Sequence, residues 1–169
     1  MKQVMDTLTT PEDLAAHSSG GLKFKIAHLA APTDFSPNTE RAIDYAVQLA
    51  RRLGAKLILL HVVPEPSALD YSMEGVSVQE IQEWEKEAEI KLTEQLAKAQ
   101  LAYKEVDAIR LSALHPRDEI VRAANDLSAD LLVISTHRYT GWKHFLLGSD
   151  AEKILEHAPC PVLVVRYKR

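Results

Sequence analysis

The chain has 169 residues and a mass of 18.9 kDa, enough for one domain that buries roughly two-thirds of its unfolded surface without disulfide staples. Hydrophobic residues make up 46% and charged residues 26%, which excludes a disordered or collagen-like chain. A net charge of -4 with a pI near 6.0 argues against nucleic acid as a partner, and the single cysteine, Cys160, excludes an internal disulfide and any cysteine-rich zinc centre.

In chain order, residues 1–22 are polar and end near Ser18-Ser19-Gly20-Gly21, the composition of a flexible extension ahead of a domain spanning residues 23–169. Within the extension, Thr10-Pro11-Glu12-Asp13 has an N-cap residue followed by proline and predicts one short helix. No signal-peptide core is present, and no run approaches the roughly 18 apolar residues of a membrane helix. The expectation is a cytoplasmic protein with no membrane partner.

Strands are predicted at residues 24–31, 57–63, 106–112, 131–135 and 162–166, where apolar and β-branched residues cluster. The runs from Leu57 to Val63 and from Leu131 to Ile134 are almost continuously apolar, which suits interior strands covered on both faces. Ser36-Pro37 opens the first domain helix, with Ala42, Ala46, Leu49 and Leu53 on its inner face and Gly54 as terminator. Ser77-x-x-Glu80 is a capping box for a long helix to about Ala102, with Ile81, Ala88, Leu92, Leu96 and Ala99 inward. Its outer face carries six Glu and two Lys between residues 80 and 94, the pattern of a solvated helix face. Pro116 opens a third helix with Ile120, Val121 and Ala124 inward, and Ser149-x-x-Glu152 caps a fourth that runs to His157.

Five strands interleaved with four helices, joined by right-handed crossovers, predict an α/β fold: a five-stranded parallel open sheet, doubly wound. Ligands of such sheets bind beyond the carboxyl ends of the strands. There the first strand ends in Ala31-Pro32-Thr33-Asp34-Phe35-Ser36, and Asp34 has two readings: an acceptor for a ribose hydroxyl or ordered water, or an acceptor for loop N–H groups. The fourth strand runs into a long loop, from Ser135 to Gly148-Ser149, at a helix start. That turn reads either as a phosphate-binding helix N-terminus or as a plain turn with a capping box.

The segments Pro32-Thr33-Asp34-Phe35-Ser36, Leu59-Leu60-His61-Val62, Ala129-Asp130-Leu131-Leu132-Val133-Ile134, Leu146-Leu147-Gly148-Ser149 and His157-Ala158-Pro159-Cys160-Pro161-Val162 resemble, in order, those of the universal stress protein family over residues 24–166. The resemblance implies an adenine-nucleotide alpha hydrolase-like fold, a non-catalytic role in stress response, and a homodimer paired through the last strand, about Val162 to Arg166. In one branch of the family it also implies an ATP site, with magnesium only as the partner of ATP. Transferred by position, that site comprises Pro32, Asp34, the main chain at Val62, and Gly148 and Ser149 around the phosphates.

The branch's glycine motif, Gly-x2-Gly-x9-Gly-Ser/Thr, is half kept, because Ser135 and Arg138 stand where the first two glycines belong. Glycine suits such positions through its freedom at positive φ and its lack of a side chain against phosphate. Arg138 can instead pair with a phosphate, His137 lies where it can contact a nucleotide, and Asp150 in the first helical turn suits the helix dipole but repels a polyphosphate. Two functions follow: a nucleotide-responsive regulator, or a protective dimer that binds no nucleotide and acts through protein contacts. Seven histidines form no HxxxH spacing and no nucleophile motif is present, so no metal centre and no enzyme is expected. His61 and Cys160 read as packed structural residues, and Trp84 and Trp142 do not interleave with basic residues as a nucleic-acid stacking platform would.

Overall fold

The computed structural model describes residues 25–67, 77–136 and 149–166. The short helix expected near Thr10 lies outside them, as do His137, Arg138, Trp142 and Gly148. Five strands, β1 (His28–Pro32), β2 (Lys56–Pro64), β3 (Val106–Ala113), β4 (Leu131–Thr136) and β5 (Val162–Arg166), form one parallel sheet in the order β3-β2-β1-β4-β5. Between them run α1 (Pro37–Leu53), α2 (Val78–Ala102), α3 (Pro116–Asp126) and α4 (Ser149–His157). The α/β doubly wound architecture is therefore the one expected, with β1 in the middle and β2 and β4 as its interior neighbours.

Local chemistry sets the helix starts. Ser36 accepts the Thr39 N–H ahead of Pro37, and Ser77 with Glu80 forms the reciprocal capping box. Helix α1 stops at Gly54, whose φ of 64 and N–H bond to the Ala50 carbonyl make a left-handed cap. Two apolar layers result. Ile43, Ala46, Val47 and Ala50 of α1 and Leu92 and Ala99 of α2 cover one sheet face against Leu29, Leu57, Leu59 and Val133. Ala123 and Ala124 of α3 and Ala151 and Ile154 of α4 cover the other against Ala30, Leu60, Leu132 and Ile134.

Four details depart from expectation. Strand β1 begins at His28 rather than residue 24 and extends through Pro32, which pairs in register with Leu60. The buried face of α1 turns through Ile43, Val47 and Ala50, so Leu53 is left 45% exposed. Leu53 keeps the period, seven residues after the buried Ala46, but it is the last residue of the helix. Ser149 lies within the first turn of α4 instead of preceding it. Finally, the acidic face of α2 works within the fold: Arg110 of β3 pairs with Glu85 and Glu89, and Lys91 with Glu87.

The β1–β4 junction is held by one side chain. Asp130 Oδ2 accepts the N–H groups of Ala27 and His28 at 2.8 and 2.9 Å, while the Asp130 N–H donates to the His28 carbonyl at 2.9 Å. These backbone bonds, from Ala27 first and then His28, hold the carboxyl below its ordinary range. A lowered carboxylate pKa contributes stability above the unfolded value, and that contribution is lost as pH falls through the folded one. Asp130→Ala is expected to cost about 1 kcal/mol in urea unfolding at neutral pH, the low end for charge-assisted bonds because the site is partly solvated. Asp130→Asn should flatten the acid limb of the unfolding profile; an unchanged limb would rule out this clamp.

Candidate functional site

The chain reverses its order of strand addition between β1 and β4, and this switch point is where a doubly wound sheet opens a crevice at its carboxyl edge. The register shows how it opens here. β1 pairs with β2 along five residues, from His28↔Lys56 to Pro32↔Leu60, but with β4 only at Leu29↔Leu131 and Ala30↔Leu132 among the described residues. Beyond Leu132, β4 continues to Thr136 alongside β5. The two strands thus part in their upper halves, with the Asp34 turn above one and Ser135-Thr136 above the other.

The turn after β1 is built by its own hydroxyls and carboxylate. Phe35 N–H donates to Thr33 Oγ1 at 3.0 Å, Ser36 N–H to Asp34 Oδ1 at 2.9 Å, and Thr39 Oγ1 to the same Oδ1 at 2.7 Å. Thr33 and Thr39 are buried while Asp34 is exposed, so the acid sits at the surface on a rigid base. Phe35 adopts a φ of 61, a left-handed conformation that costs a non-glycine residue roughly 1 kcal/mol or more. Its ring packs on the His61 imidazole, with centroids 4.2 Å apart, and Lys91 Nζ lies 5.9 Å above it.

Backbone alternation along β2 places the next group. The Lys56 N–H donates to Ala27 on the β1 side and the Leu57 N–H to Glu105 on the β3 side, so even-numbered residues of β2 face β1. Val62 is even-numbered and stands past Pro32, the last residue of β1. Its N–H and C=O therefore point over the end of β1, a donor and an acceptor side by side on the crevice rim. The Thr33 N–H closes the ladder on the Leu60 carbonyl at 2.8 Å, and the Thr33 carbonyl accepts from His61 Nδ1 at 2.8 Å. Because a carbonyl only accepts, Nδ1 carries the proton. Burial pushes the His61 pKa below its ordinary value, helped by Arg110 and Lys91 and opposed by the Thr33 bond and by Asp34. This shift favours the neutral imidazole, in which the bond to Thr33 selects the Nδ1–H tautomer.

Of the expected site residues, the fold brings Pro32, Asp34, Val62 and Ser135 to the carboxyl edge of the sheet, and α4 begins at Ser149 and Asp150. His137, Arg138 and Gly148 lie outside the described residues. Of the two readings of Asp34, the local one is seen: Oδ1 accepts from the Ser36 N–H and the Thr39 hydroxyl. Ser135 is a regular residue of β4 in register with Val165. It is not among the positive-φ residues, so the left-handed cost that glycine avoids does not arise at position 135. Thr33, Thr39 and His61, which organise the turn, were not marked as site residues by sequence reasoning. Hydroxyls one residue before the acid and three residues after the helix cap are the signal for the two threonines, whereas His61 reaches the turn from 28 residues away and has no local signal.

Among the described residues, no group of three or more His, Cys, Asp or Glu side chains could hold a metal ion, and no helix is long and apolar enough to cross a membrane. Burial raises the Cys160 thiol above its ordinary pKa, the opposite of a reactive thiolate.

A switch-point crevice at the carboxyl edge of a five-stranded parallel sheet, with an acid after the first strand and main-chain groups of the second facing past its end, defines a doubly wound α/β protein. The sequence model of the universal stress protein family matches residues 26–166, and the chain belongs to that family. It is 30% identical to universal stress protein MJ0577 of Methanocaldococcus jannaschii over 151 residues, 81% of this chain and 93% of that one. The solved structure of MJ0577 superposes with a TM-score of 0.71 over 86% of this chain and 99% of that one. Universal stress protein YxiE of Bacillus subtilis is 33% identical over 79% of this chain and 94% of its own. A universal stress protein solved in complex with cAMP shares 25% identity and a TM-score of 0.60 over 85% of this chain and 99% of that one.

Proposed function

We propose that this chain is a non-catalytic stress-response regulator that binds an adenine nucleotide, ATP or a relative, in the crevice between β1 and β4. The observation that carries the reading is the pair of groups on the crevice rim: the Val62 main-chain N–H and C=O facing past the end of β1, beside the carboxylate of Asp34. A planar base presents a donor and an acceptor on one edge and can pair with the first; a ribose hydroxyl donates to the second. The phosphates then run toward the start of α4, whose N-terminal N–H groups and dipole favour anions. Magnesium enters only as the counter-ion of the polyphosphate. The cAMP complex of a relative with this fold supports adenine as the base.

The extended conformation at Ser135 favours this reading over a dimer that binds no nucleotide, because one of the two departures from the glycine motif then carries no backbone penalty. Isothermal titration with ATP and magnesium is expected to show one site per chain. Asp34→Ala should weaken it roughly tenfold, the worth of one charge-assisted bond of about 1.5 kcal/mol. No heat and no thermal shift at millimolar nucleotide would leave the protective-dimer reading in its place.

A further inference from the structure

The β1–β2 ladder stops one bond early. The pattern that joins Lys56 to Ala27 and Thr33 to Leu60 would next join the Val62 N–H to the Thr33 carbonyl, yet that carbonyl bonds to His61 Nδ1 and the ladder bond is not made. His61 itself faces β3 through its backbone, in register with Arg110, and its side chain turns back over the sheet to reach Thr33. The same ring seats Phe35, whose left-handed backbone starts the turn that carries Asp34. One imidazole therefore touches both the Thr33 carbonyl, where the ladder would reach Val62, and the Phe35 ring of the Asp34 turn.

We infer that His61 is a positioning residue for the nucleotide site: its Nδ1–H draws off the Thr33 carbonyl, which keeps the Val62 N–H available to a ligand, and its ring braces the Asp34 turn. The inference rests on the adenine-nucleotide reading for its purpose, but not for its geometry. A carbonyl has a second lone pair, so the effect is one of position: the imidazole holds the Thr33 carbonyl toward itself, and without it that carbonyl swings to the Val62 N–H and extends the sheet by one bond, closing the donor that a base needs. The ring supports the left-handed Phe35 together with the Thr33 hydroxyl and the apolar layer under α1 and α2.

The groups that face the ring come from every neighbouring element: Asp34 from the β1–α1 turn, Lys91 from α2, and Arg110 from β3. Lys91 is itself paired with Glu87, and Arg110 with Glu85 and Glu89. None of these competes for the Thr33 carbonyl, so the role falls on Nδ1 alone.

Two variants separate the two contacts. His61→Phe keeps an aromatic ring but removes the donor; His61→Asn supplies an amide donor near the place of Nδ1 and removes the ring. In the ligand-free protein, amide hydrogen exchange at Val62 is expected to slow about tenfold or more in His61→Phe and to stay near wild type in His61→Asn. ATP affinity should fall about tenfold or more in His61→Phe, while His61→Asn should recover most of the loss. Unchanged Val62 exchange in His61→Phe overturns the inference. If exchange shifts as expected while the wild type binds no ATP, the nucleotide reading fails and the positioning role stands. Should His61→Phe fail to fold, the nitrogen spectrum of wild-type His61 decides: a proton on Nδ1 supports the inference, and a proton on Nε2 alone overturns it.

Discussion

Leu132→Ala is expected to lower the unfolding free energy by about 3 kcal/mol, within the range for a leucine deleted from a packed core. Leu132 is completely buried in β4, with β1 on one side and β5 on the other, and its side chain lies in the layer covered by α3 and α4. The buried residues of this layer, from Ala30 and Leu60 to Ala124 and Ile154, sit on regular strands and helices, so the cavity would close only in part. For a domain of this size the loss corresponds to a fall in Tm of roughly 10 °C. It would also loosen the last residue that joins β4 to β1 below the crevice, so nucleotide affinity should fall with stability. A melting temperature within a degree or two of wild type would show that this layer is not packed as described.

The family resemblance implies a homodimer paired through β5; for such a pair, Val164→Pro is expected to give monomers without unfolding the chain. β5 forms one edge of the sheet, and its residues from Val162 to Val165 are only half-buried. The Leu132 N–H donates to the Pro161 carbonyl, and with Leu132 in register with Val162 this turns the N–H groups of Leu163 and Val165 toward β4. The N–H of Val164 therefore faces outward, where a second copy would pair. Proline at Val164 removes that outward donor and leaves the inner ladder intact. In a two-fold pair the change acts twice, and about 3 kcal/mol, roughly a hundredfold in association, follows from the lost bonds. Leu163→Pro is the contrasting case, since it strips an inner ladder bond and should unfold the domain. Light scattering that shows an unchanged dimer for Val164→Pro would refute pairing through this edge.

Elements with local causes were legible in the sequence. Ser36 before Pro37, the Ser77–Glu80 capping box and Gly54 each satisfy or terminate a helix end with atoms a few residues away, and the structure uses all three as read. The apolar runs of β2 and β4 named the interior strands because a strand covered on both faces has no polar positions to spend. The acidic face of α2 was legible as solvated, but not as the partner of Arg110, because that contact joins residues more than twenty apart. Leu53 shows the limit of periodicity: the apolar spacing fits, but where the sheet ends decides which turn of the helix is covered.

The sequence by itself determined the alternation of strands and helices, and with it the parallel sheet, the switch point and the family, because these follow from short-range periodicity and from segments kept in order. It also put Asp34 at the end of the first strand and Ser135 in the place of a glycine. Only the tertiary structure decided that β1 and β4 part after Ala30 and Leu132, that Ser135 is extended and carries no left-handed cost, and that His61 takes the Thr33 carbonyl away from Val62. These depend on register and on which backbone groups are left over once neighbouring strands have paired. A chain read one residue at a time does not show which of its N–H groups the sheet will leave for a ligand.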